Sequence, residues 1–534
     1  RGAGRAGGVS TTTHIGVFLP TRFRQIMKQN IRSLIAALSA LAATSAFGEI
    51  KMPKIFSDGM VLQRDMPVKI WGTADANASV DVEFAGAKKS AKAGADGKWS
   101  VALDKMPASK TPRELSVSEN GKPGKKISDV LVGEVWIAGG QSNMGWSLRA
   151  TTDADAAKAR AHYPTMRYFN QPTKASLTPR ADSFEESKWS AADGENIGAW
   201  SGVGFYFAER IMKELDVPVA ILYAAKGATS MTCWIPEECH AKVPYLAGYL
   251  ANFKKSLAKF TPEIAQKRLD AHNAKLRKEG KPVQRRKWPF WVAPSMITPW
   301  ADYSTPYMLY NGMVAPIAGY TARGVIWYQG EGDTAEKAAA CFAEQYKTLV
   351  ESWRKAFGND GMAFLQVQLA SFENKARWPE ARAGQLAACK LAPNVGAVCI
   401  IDCGEEKDIH PKDKTTVGNR LALLALSDVY KKAGFHGRSP EFVSAQYKGD
   451  TVKIKFKDFG RGLVFKGEPR GFEVLTKGKW EKAAAKLDGG KIVLKSSDGS
   501  MPEGARYLWT QWARPDASLF NKDGLPAFPF QNVR

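Results

Sequence analysis

Val130-Leu131-Val132-Gly133-Glu134-Val135-Trp136-Ile137, running directly into Ala138-Gly139-Gly140-Gln141-Ser142-Asn143-Met144, decides the fold. An apolar run broken by a single acid is the pattern of a strand covered on both faces. The two glycines that follow permit a tight turn with unusual dihedrals. Ser142 then falls at the start of a helix, its hydroxyl exposed and its own N–H free to donate. Taken alone, a serine in that place is more readily explained as an N-cap, by about four to one, so the motif by itself is weak.

Ahead of this stretch the chain reads as all-β. Val68–Gly72, Ser79–Phe84, Lys98–Leu103 and Glu114–Val117 alternate with period two, and Asp96-Gly97 and Asn120-Gly121 supply turns. The expectation is an N-terminal β-sandwich domain over 49–128. Behind it, the apolar runs Pro218–Ala225, Gly324–Tyr328, Ala363–Leu369 and Val395–Ile401 read as buried strands. Helical patterns over Gly204–Leu215, Ala335–Phe357 and Val417–Lys432 separate them. Strands alternating with helices predict a parallel α/β core over 129–435. Alternation returns in Thr451–Phe456, Gly471–Leu475 and Lys491–Leu494, so 436–534 is expected to be a C-terminal β region.

In an open α/β sheet, functional groups gather beyond the carboxyl ends of the strands. Four strand ends carry such groups here. The first holds Ser142. The second, Ala224-Ala225-Lys226-Gly227-Ala228, brings a glycine whose N–H is suited to a developing oxyanion. The third, Trp327-Tyr328-Gln329-Gly330-Glu331-Gly332-Asp333, interleaves an amide and two acids with glycines, which packing alone does not explain. The last leads to Asp408-Ile409-His410-Pro411, where an acid two residues before a histidine is placed to orient the imidazole while it takes the Ser142 proton. Glu331 and Asp402 remain alternatives to Asp408 as orienting acid.

Together these blocks resemble the sialate O-acetylesterase family of the SGNH hydrolases, carbohydrate esterases with a flavodoxin-like core. The resemblance rests on Gly133-Glu134-Val135-Trp136, Gly140-Gln141-Ser142-Asn143-Met144, Trp327-Tyr328-Gln329-Gly330-Glu331, Asp408-Ile409-His410-Pro411 and the closing Leu519-Phe520-Asn521-Lys522-Asp523-Gly524-Leu525-Pro526-Ala527. It implies a secreted serine esterase that removes O-acetyl groups, foremost from sialic acids, through an acetyl-Ser142 intermediate. Ser142 is then the nucleophile, His410 the base and acid, and Asp408 the orienting acid. The oxyanion hole is formed by the Ser142 and Gly227 N–H groups with the Gln329 side chain. Gln141, Asn143, Trp146, Lys226, Glu331 and Trp327 are substrate-binding candidates. Trp200, Trp234 and Trp378 are further aromatic candidates, each with core packing as the plainer alternative. Two departures from the family pattern stand out: Gly145, where a glutamate is common, and Lys226 before Gly227. Both make the pocket more positive and favour an anionic sugar. The alternatives are an acetylesterase for xylan or another glycan, and a catalytically silent carbohydrate-binding protein.

Composition narrows the remaining classes. The chain has 534 residues, enough for several cores, and its formal net charge of +23 raises nucleic acid as a partner. Six of those charges lie in the first 48 residues, which hold no acid. Within them, 1–26 is read as a non-native or disordered leader. Residues 27–48, a basic start at Met27 and an apolar run ending in Ala46-Phe47-Gly48, read as a signal peptide for export to the periplasm or medium. Residues 251–290 add twelve basic side chains against three acidic ones, the pattern of a solvated helical insertion at about 240–300. With no nucleic-acid-binding motif the charge is local, so no nucleic-acid partner and no membrane span are expected. His14, His162, His240, His272, His410 and His436 are scattered without ligand spacing, so neither metal nor other cofactor is expected. Six cysteines in so long a chain are not a disulfide scaffold.

Overall fold

In a computed structural model, residues 50–258, 262–281, 283 and 305–534 are described. The expected leader (1–26), the expected signal peptide (27–48) and part of the expected basic insertion lie outside them. Among the described residues, thirteen strands precede residue 400: β1 (Val61–Gln63), β2 (Val68–Thr73), β3 (Ser79–Phe84), β4 (Ala87–Lys92), β5 (Lys98–Leu103), β6 (Ser109–Glu119), β7 (Lys122–Gly140), β8 (His162–Asn170), β9 (Lys188–Asp193), β10 (Val219–Ala225), β11 (Gly324–Tyr328), β12 (Ala363–Val367) and β13 (Val395–Val398). The central sheet has the order β13-β12-β11-β7-β10-β8-β9. Every neighbouring pair is parallel except β8 with β9, so the sheet is mixed.

Strand β7 is 19 residues long and serves two neighbourhoods. Its first part pairs with β6 and β1, and its second, from Glu134, with β10 and β11. The boundary expected at 128/129 therefore lies inside one continuous strand. Side chains of β7 alternate between two cores. Val135 and Ile137 join Trp327 and Trp353, while Trp136 and Ala138 join Phe207, Ile326 and Tyr328. A strand apolar on both faces is what the run at 130–138, interrupted only by Gly133 and Glu134, encodes, because helices cover each face of the sheet.

Five helices matter for the site: α1 (Ser142–Gly145), α2 (Gly202–Leu215), α3 (Phe342–Phe357), α4 (Trp378–Ala388) and α5 (Lys414–Leu424). α2 and α5 supply Tyr206, Phe207, Val417 and Leu421 to one core, and α3 supplies Tyr346, Leu349 and Trp353 to the other. The helix expected over 335–357 is broken at Cys341, and the one expected over 417–432 starts at Lys414 and loosens into a π-helical turn at Ala425–Val429. Beyond residue 440 lie two four-stranded antiparallel sheets, whose core reaches Cys399 and Ile401 beside β13. The fully buried Arg382 guanidinium donates to the carbonyls of Leu369, Ala370, Thr510 and Gln511, tying the C-terminal segment to α4. The six cysteines are free thiols.

Candidate active site

The carboxyl ends of β7, β10 and β11 and the loop leading to α5 converge. Gly140 makes the first turn possible: its φ is +136°, and a Cβ there would lie 2.2 Å from the Tyr328 carbonyl oxygen of neighbouring β11. No other residue permits that approach. The turn delivers Ser142 to the first position of α1, half-buried, with its Oγ 2.8 Å from His410 Nε2. His410 comes from the loop between β13 and α5. The Trp146 ring stacks on its imidazole, centroids 4.8 Å apart and planes 17° from parallel.

Asp408 Oδ1 accepts the backbone N–H of His410 at 2.9 Å and faces Nδ1 at 3.5 Å. That contact is loose, as such contacts often are before substrate binds. The alternatives for the orienting acid are committed elsewhere. Asp402 is held in a two-oxygen fork by Arg420, at 2.7 Å to each oxygen, and Glu331 bonds Asn143. Gly227 packs against the serine: a Cβ on it would be 3.4 Å from Ser142 Cβ.

Gln329 is not brought to this point. Its amide nitrogen donates to the Thr229 carbonyl and to Asp333, and the residue is fully buried, so its donor is spent inside the loop. The expectation of an oxyanion donor there fails because a buried amide between two acceptors satisfies both first. Gln141 is also internal, its Oε1 accepting the N–H groups of Gly330 and Gly332 at 3.4 and 3.3 Å. Trp327, Trp200, Trp234 and Trp378 are core residues, buried to within a few per cent; among the tryptophans expected to meet substrate, Trp146 alone keeps partial exposure. Lys226 is half-buried next to Gly227, with its backbone N–H on the Gly140 carbonyl. At Gly145, a Cβ would meet the Tyr223 hydroxyl at 2.8 Å, so β10 fills the space that a glutamate side chain would need.

Behind Ser142 lies a polar relay that the sequence pattern signals only in part. Asn143 donates to Glu331 Oε1 at 2.5 Å and to the Ile409 carbonyl at 3.0 Å, and accepts from Lys414 Nζ at 2.5 Å. Glu331 is partly exposed as a residue, but its Oε2 is inaccessible and has no hydrogen-bond partner. Lys414 is wholly buried. A lysine opening a helix ordinarily reads as a solvated end, and nothing in its neighbours signals otherwise.

Burial sets the charges here. It pushes the Glu331 carboxyl above the usual range and the Asp333 carboxyl to about 6, and brings the Lys414 ammonium down to about 7. His410 is lowered, first by burial and further by Lys414, with Asp408 opposing. A neutral imidazole against a serine hydroxyl can take its proton.

Residues 290–427 match the family model of a carbohydrate esterase, sialic acid-specific acetylesterase. The chain is 26% identical to the sialate O-acetylesterase of Rattus norvegicus over 88% of its own length and 92% of that protein. It is 24% identical to that of Homo sapiens, covering 94% and 96%. A carbohydrate acetylesterase from Xanthomonas citri superposes with a TM-score of 0.75 at 30% identity, covering 90% of this chain and 99% of that one. The chain is thus a carboxylic ester hydrolase of the carbohydrate-esterase class. Both the helix-covered mixed sheet and the polar cluster at its carboxyl edge fit that class. Within it, the chain belongs to the sialate O-acetylesterase family.

Proposed function

We propose that the protein removes acetyl groups from the hydroxyls of carbohydrates, with O-acetylated sialic acid as its principal substrate, using Ser142 as nucleophile. The observation that carries this reading is the 2.8 Å contact between Ser142 Oγ and His410 Nε2 at the carboxyl edge of the sheet. His410 takes the serine proton as Oγ adds to the acetyl carbonyl. The N–H groups of Ser142 and Gly227 receive the oxyanion, each such donor contributing about 10²- to 10³-fold to turnover. The imidazolium, steadied by Asp408, returns the proton to the departing sugar oxygen and leaves acetyl-Ser142. Water, deprotonated by His410, then releases acetate and restores the serine. Trp146 and Lys226 border this point, and a cation there favours the carboxylate of a sialic acid.

On this reading the core is an SGNH-type, flavodoxin-like hydrolase and the strands before β7 form a sandwich. Residues 27–48 direct export, and a mature chain starting at Glu49 on N-terminal sequencing checks that. The test of function is acetate release from acetylated sialic acids, acetylated xylan and other acetylated glycans, comparing wild type with Ser142→Ala. Expected is serine-dependent release, fastest from sialic acid and slowed selectively there by Lys226→Met. Preference for xylan would move the substrate to a neutral glycan. A wild type as inert as the variant on every ester would leave a carbohydrate-binding protein.

A further inference from the structure

Lys414 is the first residue of α5, yet its side chain turns inward and is completely buried. Among the described residues no carboxylate lies within ion-pair distance of it; its ammonium instead donates to Asn143 Oδ1 at 2.5 Å. It sits 5.3 Å from the ring centroid of Tyr328 and 5.9 Å from that of Trp146. Burying a lysine is costly, and an apolar side chain would fill the same space more cheaply. What the cation gains is contact with both supports of the reacting pair. Asn143 follows Ser142 in the chain and grips the carbonyl of Ile409, the residue before His410. Trp146 is the ring on which the His410 imidazole rests.

We propose that Lys414 is a positioning residue for the hydrolysis: by fixing Asn143, which in turn holds Glu331 and the Ile409 carbonyl, it keeps the His410 loop in register with Ser142. The inference rests on the reading of Ser142 and His410 given above and adds to it a residue that touches neither substrate nor the reacting atoms. Charge contributes as well as geometry. Glu331, from the turn after β11, and Asp413, Glu405 and Asp408, from the loop before α5, attract the ammonium, while His410 on the same loop is held down in pKa by it. Removing the cation should therefore raise the His410 pKa.

The test compares wild type, Lys414→Met and Lys414→Gln on 4-nitrophenyl acetate from pH 4 to 9, with thermal unfolding to show that each is folded. It also follows labelling of Ser142 by a fluorophosphonate, read by mass spectrometry. Lys414→Met is expected to lose about 10- to 100-fold in kcat with KM within about two-fold, and to label correspondingly slowly. Its acid limb should move to higher pH. Lys414→Gln keeps a donor for Asn143 without the charge, so it should recover much of kcat while retaining the displaced limb. A folded Lys414→Met with wild-type kcat and limb overturns the inference. So does equal loss in both variants with an unmoved limb, the result of structural damage alone. A wild type that neither hydrolyses the ester nor labels at Ser142 overturns the underlying reading instead.

Discussion

Two buried carboxylates, Glu134, inside β7 beside the start of β11, and Glu331, just past the end of β11, are treated in opposite ways. Glu134 is fully buried, and both its oxygens are saturated: Oε1 takes Arg64 Nε at 2.6 Å and Arg323 Nη2 at 3.3 Å, and Oε2 takes Gln63 Nε2 and Arg323 Nε, each at 3.0 Å. Glu331 has one amide donor on Oε1 and none on Oε2, and its cation, Lys414, is reached only through Asn143. Arg323 immediately precedes β11 and Gln329 immediately follows it, so one five-residue strand connects the two arrangements. Where the sheet must only hold together, every lone pair is paired with a guanidinium or an amide. At the end proposed for the reaction, charge is left partly uncompensated, and that tension is what moves pKa values.

The sharpest way to separate the two ends is to disable one without touching the other. Ser142→Ala should cut ester hydrolysis by about 10⁴-fold or more while leaving stability within about 1 kcal/mol, measured by steady-state kinetics and urea unfolding. Glu134→Ala should do the reverse. It strands two partly buried guanidinium groups and should cost about 3–5 kcal/mol of stability, with activity per folded molecule retained. A Glu134→Ala protein of normal stability would break the comparison.

A smaller effect belongs to Asp333, which shares the Gln329 loop with Glu331. Its folded pKa of about 6 lies above the 3.8 of a free aspartate, so its contribution to stability is full below about 3.8 and is lost as pH rises through about 6. Across pH 4 to 8, the stability of Asp333→Asn relative to wild type should therefore rise by about 2 kcal/mol. A flat difference in melting temperature would remove the charge imbalance assigned to this end. Smallest is the acid limb of wild-type hydrolysis. Because His410 is lowered, kcat/KM should persist below pH 6.5 before falling with one-proton slope; a limb above 6.5 would mean that Asp408 outweighs burial and Lys414.

Much of this was legible in the chain. Gly324–Tyr328 is a strand over the predicted residues, and the expected Val395–Ile401 and Pro218–Ala225 begin at or within one residue of the observed strands, because continuous apolar runs leave a buried strand little freedom. β8 and β9 escaped. His162–Asn170 carries Pro164 and polar residues along its first half, and its burial comes from β10 on one side, which no local pattern records. At the site, Ser142 and His410 stand out as residue types flanked by turn-forming neighbours, and the fold brings them to 2.8 Å. The chemistry of Gln329 predicts an oxyanion donor, whereas the fold spends its amide on Thr229 and Asp333. Lys414 gives no local signal, because lysine is overwhelmingly a surface residue.

The sequence by itself determined the layered α/β architecture, the flanking β regions and the residues able to attack an ester. Those follow from periodicity, glycine placement and side-chain chemistry, which are properties of a residue and its near neighbours. Only the tertiary structure decided which polar groups are already spoken for and which cation stands behind Ser142. Both depend on donors and acceptors up to 271 positions apart, the separation of Asn143 and Lys414, meeting in a space from which water is excluded.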